Sequence, residues 1–243
     1  MSEATLDIDI LKSWVGRSKS SCDVITPRPV VLMAATLGRV IDLPAQGDIL
    51  PASWHWLYFL EARPRGELGR DGHSARGNFL PPVVLPRRMW AGGRFDFHAN
   101  LRIGETIRKV TTINKVTRKS GRSGELCFVS VHHELFAGEE LRLSEDHDIV
   151  YRGDPKEDDR PTPAPMPTEE AEFIETITPD PVMLFRYSAL TFNSHRIHYD
   201  VDYCRDVEGY PGLVFHAPLT ATLLLDLATR HCGEARLSNF SYR

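Results

Sequence analysis

A ten-residue run late in the chain, Leu219-Thr220-Ala221-Thr222-Leu223-Leu224-Leu225-Asp226-Leu227-Ala228, leaves little choice of architecture. Read as a helix it is apolar on nearly every face, and Gly233 stands where a glycine stops a helix. Such a helix has to be wrapped by a sheet. After it only His231 to Arg243 remain, enough for about one strand of ordinary length. The expectation is therefore a second unit incomplete at its C-terminus, its missing strands lying in further sequence rather than in a partner.

The strands appear upstream. From Arg94 the apolar period changes to two: Phe95 and Phe97, then Ile107 to Val116, Leu126 to Leu135 and Leu141 to Tyr151, punctuated by Gly104, Gly121, Gly124 and Gly138. That pattern predicts an antiparallel meander. Before it, Leu6 to Val15 and Val30 to Leu37 have helical spacing, and Trp54 to Leu60 suits a buried helix or equally a buried strand. Consecutive strands set apart from helices make the fold α+β rather than alternating βαβ units.

The stretch Arg152 to Pro167 holds five prolines and a charge cluster, which makes it the clearest linker. It divides the chain into residues 1–152, a linker at 153–167 and a second unit at 168–243. In that second unit the sequence predicts a strand near Phe173 to Thr178, a helix from Pro181 to Thr191, a His-rich turn and the apolar helix.

A net charge of -4 with scattered Lys and Arg gives no pull toward nucleic acid. The acidic start lacks the basic and apolar regions of a targeting peptide, and no apolar run is long enough to cross a bilayer. Cys22, Cys127, Cys204 and Cys232 lie far apart with no paired spacing, which fits a reducing, cytoplasmic setting.

Two passages carry a family likeness. One is Asp71-Gly72-His73 with Asn78 to Gly93; the other is Phe192-Asn193-Ser194-His195-Arg196-Ile197-His198-Tyr199-Asp200 with Gly209 to Leu219. Both resemble the MaoC-like double hot-dog acyl-thioester hydratases and dehydratases, most of all their mesaconyl-C4-CoA (3-methylfumaryl-CoA) hydratase branch. The resemblance implies two hot-dogs in tandem, each a long helix wrapped by a curved antiparallel sheet, with a non-catalytic N-terminal half and a catalytic C-terminal half. It also implies an acyl-CoA substrate, no cofactor beyond the CoA of the substrate, and a homodimer. The broader family's motif is similar to Gly-Asp-x-Asn-Pro-(Leu or Ile)-His; laid on this chain, its His falls on His198 and its Asp on Asn193. The second position is a departure and leaves open which group performs the second proton transfer.

Adding water across an α,β-unsaturated thioester needs a base for the water, a proton for the α carbon and a donor for the enolate oxygen. A neutral imidazole suits the first task, assigned to His198. Asn193 cannot ionise but can hold the water. The Ala217 N–H, at a helix start marked by Pro218, is the candidate enolate donor. His195 and Asp200 are expected to support the centre. Arg196, and more weakly Arg87 and Arg88, are candidates for a substrate carboxylate or a CoA phosphate.

Blander readings exist for each residue. A lone His in an apolar stretch usually makes structural hydrogen bonds, and the His195-x-x-His198 spacing is weak as a metal signal, so no metal is expected. Trp54, Trp56, Tyr58 and Phe59 read as core, while His132 and His133 point to opposite faces of one strand. The rivals to a hydro-lyase are a thioesterase, disfavoured by Asn193, and a non-catalytic thioester-binding or assembly subunit.

Overall fold

A computed structural model describes residues 6–121, 124–154, 170–233 and 235–243. Its helices are α1 (Ile8–Lys12), α2 (Pro27–Thr36), α3 (Pro181–Leu190) and α4 (Ala217–His231). Its strands are β1 (Ser18–Val24), β2 (Arg87–Phe97), β3 (Thr106–Gly121), β4 (Gly124–Ala137), β5 (Glu140–Arg152) and β6 (Asn239–Tyr242). Among the described residues the strands form one antiparallel sheet in the order β1-β3-β4-β5-β2-β6.

The expected meander is there, and its register explains its two faces. Ile107, Leu135, Leu143 and Phe95 come from four different strands and share one buried cluster. Arg94, Asp146 and His132 instead form a polar row on the opposite face. Ala137 pairs with Glu140, so β4 returns into β5 through Gly138-Glu139, and Gly138 adopts φ +58° to make the turn.

Three helices pack on the inner face. Val30 and Met33 of α2, Tyr187 of α3 and Leu219 and Leu225 of α4 lie in the same cluster as those strand residues. Residues on both sides of the proline-rich stretch therefore share a core. Of 153–167 only Gly153 and Asp154 are described, so the rest of the linker expectation falls outside the described residues. An ion pair from Arg39 to Asp226 ties the end of α2 to α4.

Three expectations need correcting, and one strand was not foreseen. The Trp54 to Leu60 segment is neither a full helix nor a strand: a single 3-10 turn covers Trp54–Leu57, between Ser53 and Phe59, which both adopt left-handed φ (66° and 58°). Phe173 to Thr178 is not a strand; Phe173 stacks on His231 at the end of α4, 3.8 Å between ring centroids. β1 was not expected, because Ser18–Val24 has no apolar alternation; it forms by pairing its whole length with β3. Finally, α4 is covered mainly on the side of Leu219, Ala221, Thr222 and Leu225, while Leu224 is 46% exposed. No helix among the described residues is long and apolar enough to cross a membrane.

Candidate active site

The two sequence passages quoted above meet in space. Gly72 adopts φ +87°, and a Cβ there would lie 1.9 Å from the Ser194 carbonyl oxygen. Only glycine permits that approach. The loops are joined by hydrogen bonds from the Ser194 hydroxyl to the Gly72 carbonyl and from the Arg196 N–H to the Asp71 carbonyl at 2.9 Å. The Asp71-Gly72-His73 turn is thus docked on the His-rich turn by backbone contacts.

Four imidazoles line up at this junction. His73 and His195 have ring centroids 4.3 Å apart, His195 meets the edge of His198 at 5.5 Å, and His198 stacks on His216 at 3.5 Å. At the far end His216 Nε2 lies 2.8 Å from the Ser188 hydroxyl. His73 and Ser188 both line a cavity of about 640 Å³, so the row begins and ends at its wall. His198 itself is buried one ring behind that wall.

A 3-10 turn at Arg196–His198 aims His198, and its Nδ1 lies 2.7 Å from the Val214 carbonyl. A carbonyl can only accept, so Nδ1 carries the hydrogen and Nε2 keeps a free lone pair. The Val214 N–H donates back to the Ile197 carbonyl at 2.9 Å, locking the turn. Burial lowers the His198 pKa to about 4, partly opposed by the Val214 bond. The ring is therefore a neutral base near pH 7. Burial and the neighbouring His198 bring His216 to about 2, and burial with His73 and His198 depresses His195 as well.

Asp71 holds His73. Its Oδ1 accepts the His73 N–H at 3.0 Å, and its Oδ2 lies 3.1 Å from Nδ1. Burial alone would raise the Asp71 carboxyl, but its hydrogen bonds with His73 and the charge of Arg88 bring it well below the carboxylate range. Burial and Arg88 lower His73 in turn. Asp71, His73 and His195 bring ligand atoms within 4.8 Å of one another, a grouping that could also hold a cation.

The other expected residues are dispersed. Asn193 lines the cavity, but its Oδ1 accepts the His195 N–H at 3.1 Å, which leaves only its amide hydrogens to meet a ligand. Arg88 is on the cavity wall, whereas Arg87 forms a buried ion pair with Glu208, Nε to Oε2 at 2.5 Å. Arg196 and Asp200 bind each other at 2.7 Å, and the other Asp200 oxygen accepts the Tyr203 N–H, so Asp200 orients neither histidine. Arg196 also covers the Tyr203 ring at 4.2 Å and does not line the cavity. Ala217 is the first residue of α4 and exposed, with Pro218 second, one place later than expected. Its N–H has no acceptor within the helix.

Sequence reading missed the Asp71–His73 couple, Ser188 and Lys109 as parts of this site. The Asp-x-His spacing was a usable signal, since an Asp side chain readily accepts from the residue two places on. Lys109 gave none: it looks like any strand lysine, yet lines the cavity with its pKa lowered by burial. Beneath Trp56 on the wall, Glu145 is fully buried and accepts from the Trp56 indole at 3.0 Å while holding His55 at 3.0 Å. His132 and His133 do face opposite ways, toward Asp146 and Thr111 respectively.

The comparisons agree with one another. Residues 53–243, which include both passages, match the family model described as hydroxyacyl-thioester dehydratase type 2. The chain is 46% identical over 231 residues to the mesaconyl-C(4)-CoA hydratase of Chloroflexus aurantiacus, covering 95% of this chain and 82% of that protein. A solved MaoC-like dehydratase superposes with a TM-score of 0.65 at 14% identity, covering 96% of this chain and 83% of that one. A Mycobacterium tuberculosis protein described as having a double hot-dog fold gives 0.50 at 13% identity, over 89% of this chain and 74% of that one. The fold is therefore α+β and hot-dog, and the chain belongs to the hydroxyacyl-thioester dehydratase type 2 family of hydro-lyases.

Proposed function

We propose that this chain hydrates a short, branched enoyl-CoA carrying a free carboxylate, of the mesaconyl-C4-CoA kind, and catalyses the reverse dehydration. The observation that carries this reading is His198: a neutral imidazole whose tautomer is set by the Val214 carbonyl, leaving Nε2 free to take a proton from water. The amide hydrogens of Asn193 position that water, and the Ala217 N–H at the start of α4 receives the developing enolate oxygen. In the cavity wall neither Arg88 nor Lys109 makes a direct ion pair among the described residues, although the charge of Arg88 reaches Asp71 and that of Glu145 reaches Lys109. Two such cations suit a substrate carboxylate and a CoA phosphate. The 46% identity to the Chloroflexus hydratase supports the same substrate class.

The reading needs no cofactor other than the CoA of the substrate. Four free thiols, two of them buried, support a reducing cytoplasmic setting, and a homodimer belongs to the reading through the family resemblance. The test is loss of enoyl-thioester absorbance with mesaconyl-C4-CoA and crotonyl-CoA side by side. Rapid loss with the CoA ester intact in the product, faster for the carboxylated substrate, is expected. Release of free CoA, or no loss from folded protein, overturns the proposal.

A further inference from the structure

We infer that Lys109 is the specificity-determining residue of this site: its ammonium receives the free carboxylate at the far end of the acyl chain and so selects carboxylated thioesters over plain ones. The inference deepens the hydratase reading and rests on its acyl-CoA substrate. It starts from an anomaly in the sheet. Side chains two apart on a strand share a face, so Lys109 lies on the same face of β3 as the buried Ile107 and Thr111. That is the inner face, where a lysine is rarely found.

Lys109 belongs to a polar belt that crosses this face. The Thr111 hydroxyl lies 2.9 Å from His133 Nδ1, and His133 of β4 is the register partner of Glu145 of β5. On one side of the belt is the cluster that holds Ile107, Leu135 and Leu143; on the other is a second cluster with Ile113, Val131 and Ile149. The two oxygens of Glu145 are engaged by His55 and by the Trp56 indole, so Glu145 gives Lys109 a neighbouring charge without a direct bond. Among the described residues no acceptor meets the ammonium hydrogens of Lys109, and the side chain faces the cavity. An ammonium drawn out of bulk water needs such acceptors. A carboxylate delivered by the substrate supplies them.

The other cations of the cavity wall are engaged or lie too far out. Arg63 stands 3.8 Å from Glu61 and 3.7 Å from Glu67. Arg65 is exposed, where an acyl carboxylate would gain little over water. Arg88 acts beside the Asp71–His73 couple, and its charge already favours ionised Asp71. Lys109 is instead steadied by an aromatic contact: its Nζ lies 5.5 Å from the centroid of the Phe59 ring, and the Phe59 N–H is itself fixed on Asp23 at 2.8 Å. Burial lowers the Lys109 pKa and Glu145 opposes that shift; an arriving carboxylate opposes it further, so binding favours the ammonium form. The acyl chain then lies with its thioester toward Asn193 and the start of α4 and its carboxylate against β3. The CoA moiety extends past the exposed Phe185 and Phe192. A substrate with a methyl in place of the carboxylate leaves the ammonium without an acceptor, and a site built for a polar group discriminates strongly against the analogue that lacks it.

The experiment measures binding of succinyl-CoA and butyryl-CoA by calorimetry to wild type, Lys109→Met, Lys109→Gln and Arg88→Met. Both probes are saturated thioesters of the same chain length, so neither is hydrated, and they differ in the terminal carboxylate. Wild type is expected to bind succinyl-CoA about 30-fold more tightly than butyryl-CoA. Both Lys109 variants are expected to lose that preference while keeping butyryl-CoA affinity within a few-fold of wild type. Loss of butyryl-CoA binding in both of them overturns the proposal in favour of a structural lysine. A preference that is absent from wild type, or that survives in either Lys109 variant, overturns it too; a preference lost only in Arg88→Met moves the carboxylate to Arg88. The absorbance assay separates this inference from the reading beneath it. A wild type that discriminates between the probes but hydrates no enoyl-CoA takes down the hydratase reading and leaves the carboxylate site standing, whereas one that hydrates without discriminating takes down this proposal alone.

Discussion

For single residues, position is enforced by backbone groups more than by other side chains. The Val214 carbonyl sets the His198 tautomer, and the His195 N–H occupies the Asn193 oxygen. His198→Ala is expected to reduce turnover by about 100-fold or more while CoA affinity survives, measurable by the absorbance assay and calorimetry. An equal rate in that variant would remove His198 from the chemistry. Gly72 is the sharpest steric test. Alanine there must adopt left-handed backbone and displace the Ser194 carbonyl. The strain alone costs about 1–3 kcal/mol, so Gly72→Ala should lose both stability in urea and activity. A fully active Gly72→Ala would mean that the two loops need not dock for catalysis.

The elements show why the arginines sorted as they did. Arg87 and Arg88 are adjacent on β2 and so point to opposite sides of the strand. One meets Glu208 beside the Tyr203–Val207 turn with both side chains 5% exposed, and the other reaches the cavity. Arg87→Ala would strand Glu208 as an unpaired buried charge, at a cost of about 3–5 kcal/mol in chemical denaturation. The double variant Arg87→Met, Glu208→Leu should recover much of that loss, and equal instability of the two would show that packing rather than charge is at stake. The Trp54 segment illustrates another limit on sequence reading. Its apolar residues signalled burial and are mostly buried, but the left-handed Ser53 and Phe59 that confine it to one turn are imposed by contacts with distant segments. One of these is the Phe59 N–H donating to Asp23 at 2.8 Å.

Across the whole molecule, burial of titratable groups makes stability depend on pH with a definite sign. His198 and His216 have folded pKa values near 4 and 2, below the ordinary value near 6.5, and His73 and His195 are depressed in the same direction. Between those limits the unfolded chain binds more protons, so stability is fully present above about pH 6.5 and falls as the pH drops toward 4. Glu145 and Asp71, also depressed, extend the loss below the ordinary carboxylate range. Thermal unfolding should thus give a Tm that is level from pH 7 to 8 and declines steadily on acidification. A flat Tm down to pH 4.5 would refute the buried-neutral description of the imidazole row.

What the sequence determined by itself is what local physics controls. The period-two runs specified β3, β4 and β5, because alternation decides which face of a strand can be buried. Pro181, and the apolar run from Leu219, specified α3 and α4; the family passages marked two segments that meet beside the cavity. The tertiary structure decided which chemistry-bearing side chains meet. β1 has no apolar pattern and exists because β3 offers it an edge. Asp71 and His73 are more than a hundred positions from His198, and nothing in their spacing announces that a glycine will let the two turns touch. Asp200 is two residues from His198 yet faces Arg196. Nearness along a chain fixes distance but not direction, and direction at this site comes from hydrogen bonds and packing between segments the sequence keeps far apart.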